Sequence, residues 1–179
     1  MRDSREHDMI DDNVYDDEDE DTQKDKYLTF QLGKEAYGID IRYVTEIIGI
    51  QKITHVPDMP DYIQGVINLR GQVIPVMDVR VRFKMESKAY NDRTCVVVVR
   101  IDNASVGLVV DTVNEVADIP EDQVSPPPRV SGSKSSRYIQ GMGKIGDEVK
   151  ILLDVNKLLY DEELEQLKGG GFYEGGDKC

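Results

Sequence analysis

The sequence predicts an all-β fold: two packed five-stranded β-barrel subdomains and a short C-terminal helix. Three observations predict it. Ten short apolar stretches follow one another with turn residues at short intervals, the pattern of barrels or sandwiches. One long stretch, Tyr62–Phe83, recurs as Tyr138–Leu159, 76 residues on. Several stretches, such as Val96–Val99 and Val73–Met77, are apolar on both faces and need cover on both sides. Two small barrels sharing a core supply that cover.

The repeat divides the chain into halves. Tyr62, Ile63, Gln64 and Gly65 match Tyr138, Ile139, Gln140 and Gly141, and Val73, Asp78 and Val79 match Val149, Asp154 and Val155. Upstream, Tyr37–Ile41 and Val44–Ile47 match Val106–Val110 and Val113–Val116 at an offset of 69. The offset grows because the second copy has a longer loop in its middle. The first barrel is expected over about 27–85, the second over about 93–155 and the helix over about 156–168, all within one domain of residues 27–168.

In the first half, Tyr27–Leu32 alternates apolar and polar residues and reads as a strand. Gly33-Lys34-Glu35 turns the chain into Ala36–Ile41, and Arg42–Glu46 is a short connection, read as one helical turn. A third strand runs to about Ile50. Pro57 and Pro60 mark an irregular loop before Ile63–Leu69 and Gln72–Val79, which meet as a hairpin at Arg70-Gly71. The second half repeats the order with Thr94–Ile101, Ser105–Val110, Glu115–Ile119, Tyr138–Ile145 and Glu148–Asp154. Ser125–Arg137, rich in proline and serine, is expected to be an exposed loop without a strand. Leu158, Leu159, Leu164 and Leu167 share a helix face, and Gly169–Gly171 ends that helix.

Charge bounds the function. The net charge is −13, and residues 1–26 hold twelve Asp/Glu against four Lys/Arg, so −8 of it belongs to an acidic tail expected to be disordered. The Gly-rich tail at 169–179 is expected to be flexible. The remaining −5 still argues against nucleic acid as a partner. No apolar run approaches the ~18 residues that span a bilayer, and the N-terminus lacks a signal-peptide core. A cytoplasmic location without membrane insertion is the expectation. The two cysteines, Cys95 and Cys179, form neither a metal spacing nor a disulfide framework. The two histidines, His7 and His55, assemble no metal cluster and no nucleophile–base pair, so no catalytic, cofactor or metal site is predicted.

The run YGIDI, VTEI, GVINLRG, VIPVMDVR and VGLVVDTVNEV resembles the CheW family of bacterial chemotaxis coupling proteins. The likeness covers Tyr27–Leu167. It implies that the two barrels are SH3-like and that the protein is a cytoplasmic adaptor without catalysis or cofactor. Such an adaptor is monomeric when free and is recruited to membrane-associated chemoreceptor arrays. There it joins the cytoplasmic tip of a chemoreceptor to the regulatory domain of the histidine kinase CheA. A CheW-like regulatory module of another two-component system is the alternative. An enzyme on a small barrel lacks a catalytic constellation.

The repeat also sorts residues. Positions alike in both halves serve the fold first, and positions that differ are free for function. Arg70, on the hairpin tip, has Gly146 as its counterpart, and Asn68 has Lys144. A guanidinium there offers up to five fixed donors to carboxylates or carbonyls. The resemblance implies that Arg70 faces the receptor groove, with Val44 and Glu46 beside it. Val116, the repeat counterpart of Ile47, is expected to line the same groove from the other half. Glu46 has the counterpart Glu115, which leaves a structural role open for it. Asn68 and Gly65 complete the expected receptor-binding set; Gly65 matches the family too, but its copy Gly141 points to strand packing first. The kinase face is left unassigned.

Overall fold

The structure, a computed structural model, describes residues 22–127 and 135–160. The expectations for most of the acidic tail, for Leu164 and Leu167 in the helix and for the Gly-rich tail lie outside the described residues. Within them the chain forms β1 (Lys26–Leu32), β2 (Glu35–Asp40), β3 (Val44–Gly49), β4 (Ile63–Leu69) and β5 (Gln72–Asp78), then a one-turn helix α1 (Val79–Arg82). The second half forms β6 (Cys95–Ile101), β7 (Ala104–Val110), β8 (Thr112–Asp118), β9 (Val124–Ser125), β10 (Ile139–Ile145) and β11 (Glu148–Leu153), then α2 (Val155–Tyr160).

The strands make two sheets, ordered β8-β1-β2-β11-β10-β9 and β3-β6-β7-β5-β4. This corrects the expected division of the chain. Each sheet takes strands from both halves, so boundaries at 27–85 and 93–155 cut through both sheets. The chain changes sheet at two equivalent points. After β2, Asp40 caps a 3-10 turn at Ile41–Tyr43 that delivers the chain into β3. After β7, the single residue Asp111 intervenes before β8. The exchange is sealed by two parallel pairings, β5 with β7 and β11 with β2, in registers that the repeat offsets relate: Val76↔Gly107 and Leu152↔Gly38.

The physical reason lies in the strands that are apolar on both faces. Val96 and Val98 of β6 enter one core with Ile67, Ile74, Val76 and Val109. Val97, Val99 and Ile101 enter a larger core with Leu28, Phe30, Leu32, Leu108 and Leu153, drawn from both sheets, and Leu158 of α2. A third core, around Tyr27, Ala117, Ile119 and Leu152, fills the other barrel. A half-chain closing on itself would leave one such face in water.

Two further details differ from expectation. Val124–Ser125, at the start of the proline-rich loop, does form a two-residue strand against Gly143 and Met142. Its first-half counterpart is a lone bridge, Thr54↔Val66. The end of the Gln72–Val79 strand is cut short because buried Asp78 caps α1, its carboxylate accepting from the Arg80 amide at 3.0 Å. Asp154 does the same for α2, accepting from the Lys157 amide at 3.1 Å. The shared aspartates are helix caps.

An ion pair ties the sheet change after β7 to α1. Arg80 Nε and Nη2 donate to Asp111 Oδ1 and Oδ2 at 2.7 and 2.6 Å, and both side chains are 13% exposed. The hydrogen bond from Arg80 and a further one from the Gly33 amide hold the Asp111 carboxyl below its usual range, against the opposing effect of burial. A depressed carboxyl contributes stability above the unfolded value of about 4, and that contribution fades as pH falls through the lower folded value. Asp111→Asn should therefore lower stability by roughly 1.5–3 kcal/mol at pH 7. The gap from the parent should narrow below about pH 4 in urea titrations. A gap of constant size down to pH 2 would contradict this account.

Candidate functional site

Arg70 and Gly71 form the two-residue loop between β4 and β5, with φ of +51° and +86°. Two successive positive φ angles mark the turn that matches strand twist. Asn68 Oδ1 accepts from the Gly71 amide at 2.8 Å and so braces the loop. A non-glycine residue in the left-handed region costs roughly 1–2 kcal/mol. In the second copy that position is Gly146, at φ +59°. The first copy keeps an arginine where glycine would be easier, which points to use of the side chain.

Arg70 is 73% exposed and pairs through Nη2 with Glu46 Oε2 on β3. Strands β3 and β4 are the two ends of the five-stranded order, so the pair links opposite edges of that sheet. Its worth to stability is small, ~0–1 kcal/mol, because water screens so exposed a guanidinium. Its effect is orientation: one nitrogen of the fork is held, and the rest of the guanidinium faces solvent. Val44 is half-buried two residues before Glu46, at a bulge in the β3–β6 pairing.

Gly65 is placed differently. It is buried at φ +148°, and a Cβ there would lie 2.1 Å from the Thr54 carbonyl oxygen. It supports the hairpin from beneath. Val116 is 51% exposed on β8, an edge strand of the six-stranded sheet, whereas Val44, Glu46 and Asn68 lie in the five-stranded one and Arg70 on its hairpin loop.

Four exposed aliphatic residues obey the repeat. Ile47 and Val116 are counterparts, as are Val73 and Val149, and all four are exposed. Sequence reading passed over Val73 and Val149 as strand residues. In both copies the valine lies opposite a polar residue of the hairpin, Asn68 or Lys144. Sequence reading also passed over Arg80, Asp111 and Arg82. Arg82, 3% exposed, lies over the rings of Tyr62 and Tyr138 at 4.2 and 4.9 Å. Among the described residues no group of His, Cys, Asp and Glu could hold a metal, and no helix is long and apolar enough to cross a membrane.

Comparison with known proteins agrees with this architecture. The CheW-like domain matches residues 26–163. The chain is 40% identical over 139 residues to the chemotaxis protein CheW of Klebsiella aerogenes, covering 78% of this chain and 84% of that one. It is 32% identical over 144 residues to the chemotaxis protein CheW of Treponema pallidum, covering 78% and 85%. The crystal structure of the scaffolding protein TtCheW from Thermoanaerobacter tengcongensis matches with a TM-score of 0.71 at 34% identity, over 77% of this chain and 94% of that chain.

The two glycine positions separate fold from face. Gly65→Ala sets a Cβ against backbone that cannot yield and should lower stability by roughly 2–4 kcal/mol. Gly146→Ala meets no atom within 4 Å and should lose only the roughly 1–2 kcal/mol of its left-handed backbone. Urea denaturation of both variants checks the difference; equal losses would show that the hairpin tolerates a methyl against Thr54.

Proposed function

The chain belongs to the CheW-like domain family, and from that premise we propose that it couples the cytoplasmic tip of chemoreceptors to the regulatory domain of the kinase CheA. It is a chemotaxis coupling adaptor of the CheW type. We place it in the cytoplasm, recruited to receptor arrays and monomeric when free. The receptor face centres on Arg70, with Glu46, Val44 and Asn68 around it and Val116 contributing from the six-stranded sheet.

One observation carries this reading: a solvent-facing arginine held in an unfavourable backbone region at a hairpin tip and oriented by Glu46. Receptor tips are helical, and their exposed carboxylates and terminal carbonyls are acceptors that a planar fork fits. Orientation by Glu46 lowers the entropy lost when the side chain docks. Ile47 and Val116 offer apolar area for the hydrophobic side of a helix.

Arg70→Ala should leave the fold intact, shifting stability by no more than ~1 kcal/mol. Loss of a charge-assisted hydrogen bond, roughly 1.5–3 kcal/mol, should weaken receptor binding about ten- to a hundredfold. Arg70→Lys should recover part of the loss, since an ammonium lacks the two-pronged geometry. Kinase binding should persist. Calorimetry with a soluble receptor fragment and with the CheA regulatory domain measures each arm. Parental receptor affinity in Arg70→Ala would remove this hairpin from the receptor face.

A further inference from the structure

Two motifs that carry the family likeness, Asp78-Val79-Arg80 and the aspartate that closes Val106–Asp111, do not belong to the Arg70 face. They meet each other. Arg80 follows β5, the second strand of the Arg70 hairpin, and Asp111 precedes β8, the strand that carries Val116. Their contact is two-pronged, at 2.7 and 2.6 Å. Arg80 Nη1 also donates to the Glu86 carbonyl at 2.9 Å, and Asp111 also accepts from the Gly33 amide at 2.8 Å. The pair therefore joins four segments: α1, the linker between the halves, the β1–β2 turn and the start of β8.

Strand β8 has a sheet neighbour on one side only. It is the edge of its sheet and pairs with β1, in a ladder broken by a bulge between Leu28 and Phe30. At the bulge Thr29 Oγ1 donates to the Glu115 carbonyl at 2.7 Å and accepts from its amide at 3.2 Å. Past the strand, the Ile119 amide donates to the Asp25 carbonyl at 2.8 Å. The Asp111 amide and Asn114 Nδ2 also donate to the Gln31 carbonyl and Gln31 Oε1, at 3.1 and 3.3 Å. All these ties hold β8 and its approach to β1. The Asp111 carboxylate tie, in contrast, reaches across to the helix that follows the Arg70 hairpin.

At the equivalent sheet change the chain does without this tie. The counterparts of Asp111 and Arg80 are Arg42 and Asn156. Arg42 pairs with Asp40 in its own turn and is 59% exposed. The chain thus changes sheet once with a fork reaching across and once with a local, exposed pair.

We propose that Arg80 and Asp111 are positioning residues for receptor binding: their fork sets where β8, with Val116, stands relative to the hairpin that carries Arg70. The proposal rests on the receptor reading above. It assigns a task in recognition to two residues that lie off the proposed contact surface.

The test uses the full chain and a soluble cytoplasmic chemoreceptor fragment. The double variant Arg80→Met/Asp111→Asn removes both charges together and so strands neither. Arg80→Lys keeps a charge but loses the fork, and it serves as the second variant if the double variant fails to fold. Amide exchange by NMR should rise about tenfold over Thr112–Asp118 while the β4–β5 amides stay protected. Receptor affinity should fall about fivefold, with Arg80→Lys in between. Unchanged exchange in β8 overturns the proposal. So does faster exchange with parental receptor affinity, provided that Arg70→Ala weakens binding in the same titration. If Arg70→Ala binds as the parent does, the receptor reading itself has failed, and this proposal falls with it.

Discussion

The fold depends on one constraint: strands that are apolar on both faces cannot be left with one face in water. Valines 96 to 99 are all buried, and they alternate between the core of the five-stranded barrel and the core that both sheets share. Cover on both sides of β6 requires a second sheet, and the second sheet comes from the other end of each half. Exchange of strands follows from that need. The two halves are thereby tied through buried area and through two parallel pairings, and neither could leave without exposing the shared core. Gly38 and Gly107 sit where the parallel strands meet. A Cβ at Gly107 would lie 2.7 Å from Val96, and one at Gly38 would lie 3.1 Å from Leu152.

The strand plan was legible in the sequence because period-two patterning and a visible repeat act locally and agree with each other. Hairpins at Arg70-Gly71 and Gly146-Asp147 were legible because turn chemistry is local too. Strand exchange was not. Nothing in the residues between β2 and β3 says which sheet β3 will join; that choice is made by the area buried when the halves meet. Asp78 was visible as a shared residue but not as a helix cap, because the helix it starts is a single turn with an apolar-basic alternation, Val-Arg-Val-Arg, that also suits a strand.

The candidate site was partly legible for a related reason. Arg70 stood out against Gly146, and the structure adds its backbone conformation and its pair with Glu46. Gly65 was legible as a packing position from its copy Gly141, and the 2.1 Å approach to Thr54 gives the cause. Arg80 and Asp111 were hidden inside motifs that appear as strand ends. They lie 31 residues apart, and the bond between them depends on strand exchange.

Arg82 limits the rule that residues differing between the copies serve function. Its counterpart is Leu158, and Arg82 Nε donates to the Leu158 carbonyl at 3.3 Å. The rings on either side of it, Tyr62 and Tyr138, are counterparts of each other. A pair of equivalent positions that touch, flanked by a pair of equivalent rings, lies on the axis relating the halves. Two arginines there would bring like charges together out of water. Two leucines would leave the ring faces without a cation, an interaction worth about 2 kcal/mol when desolvated. One arginine and one leucine avoid both, so the copies differ at this point for the sake of the core. Arg70 and Gly146 stand instead at exposed tips, where packing imposes no such choice. Difference between copies therefore points to recognition only off the axis and in solvent, and Arg70 meets both conditions.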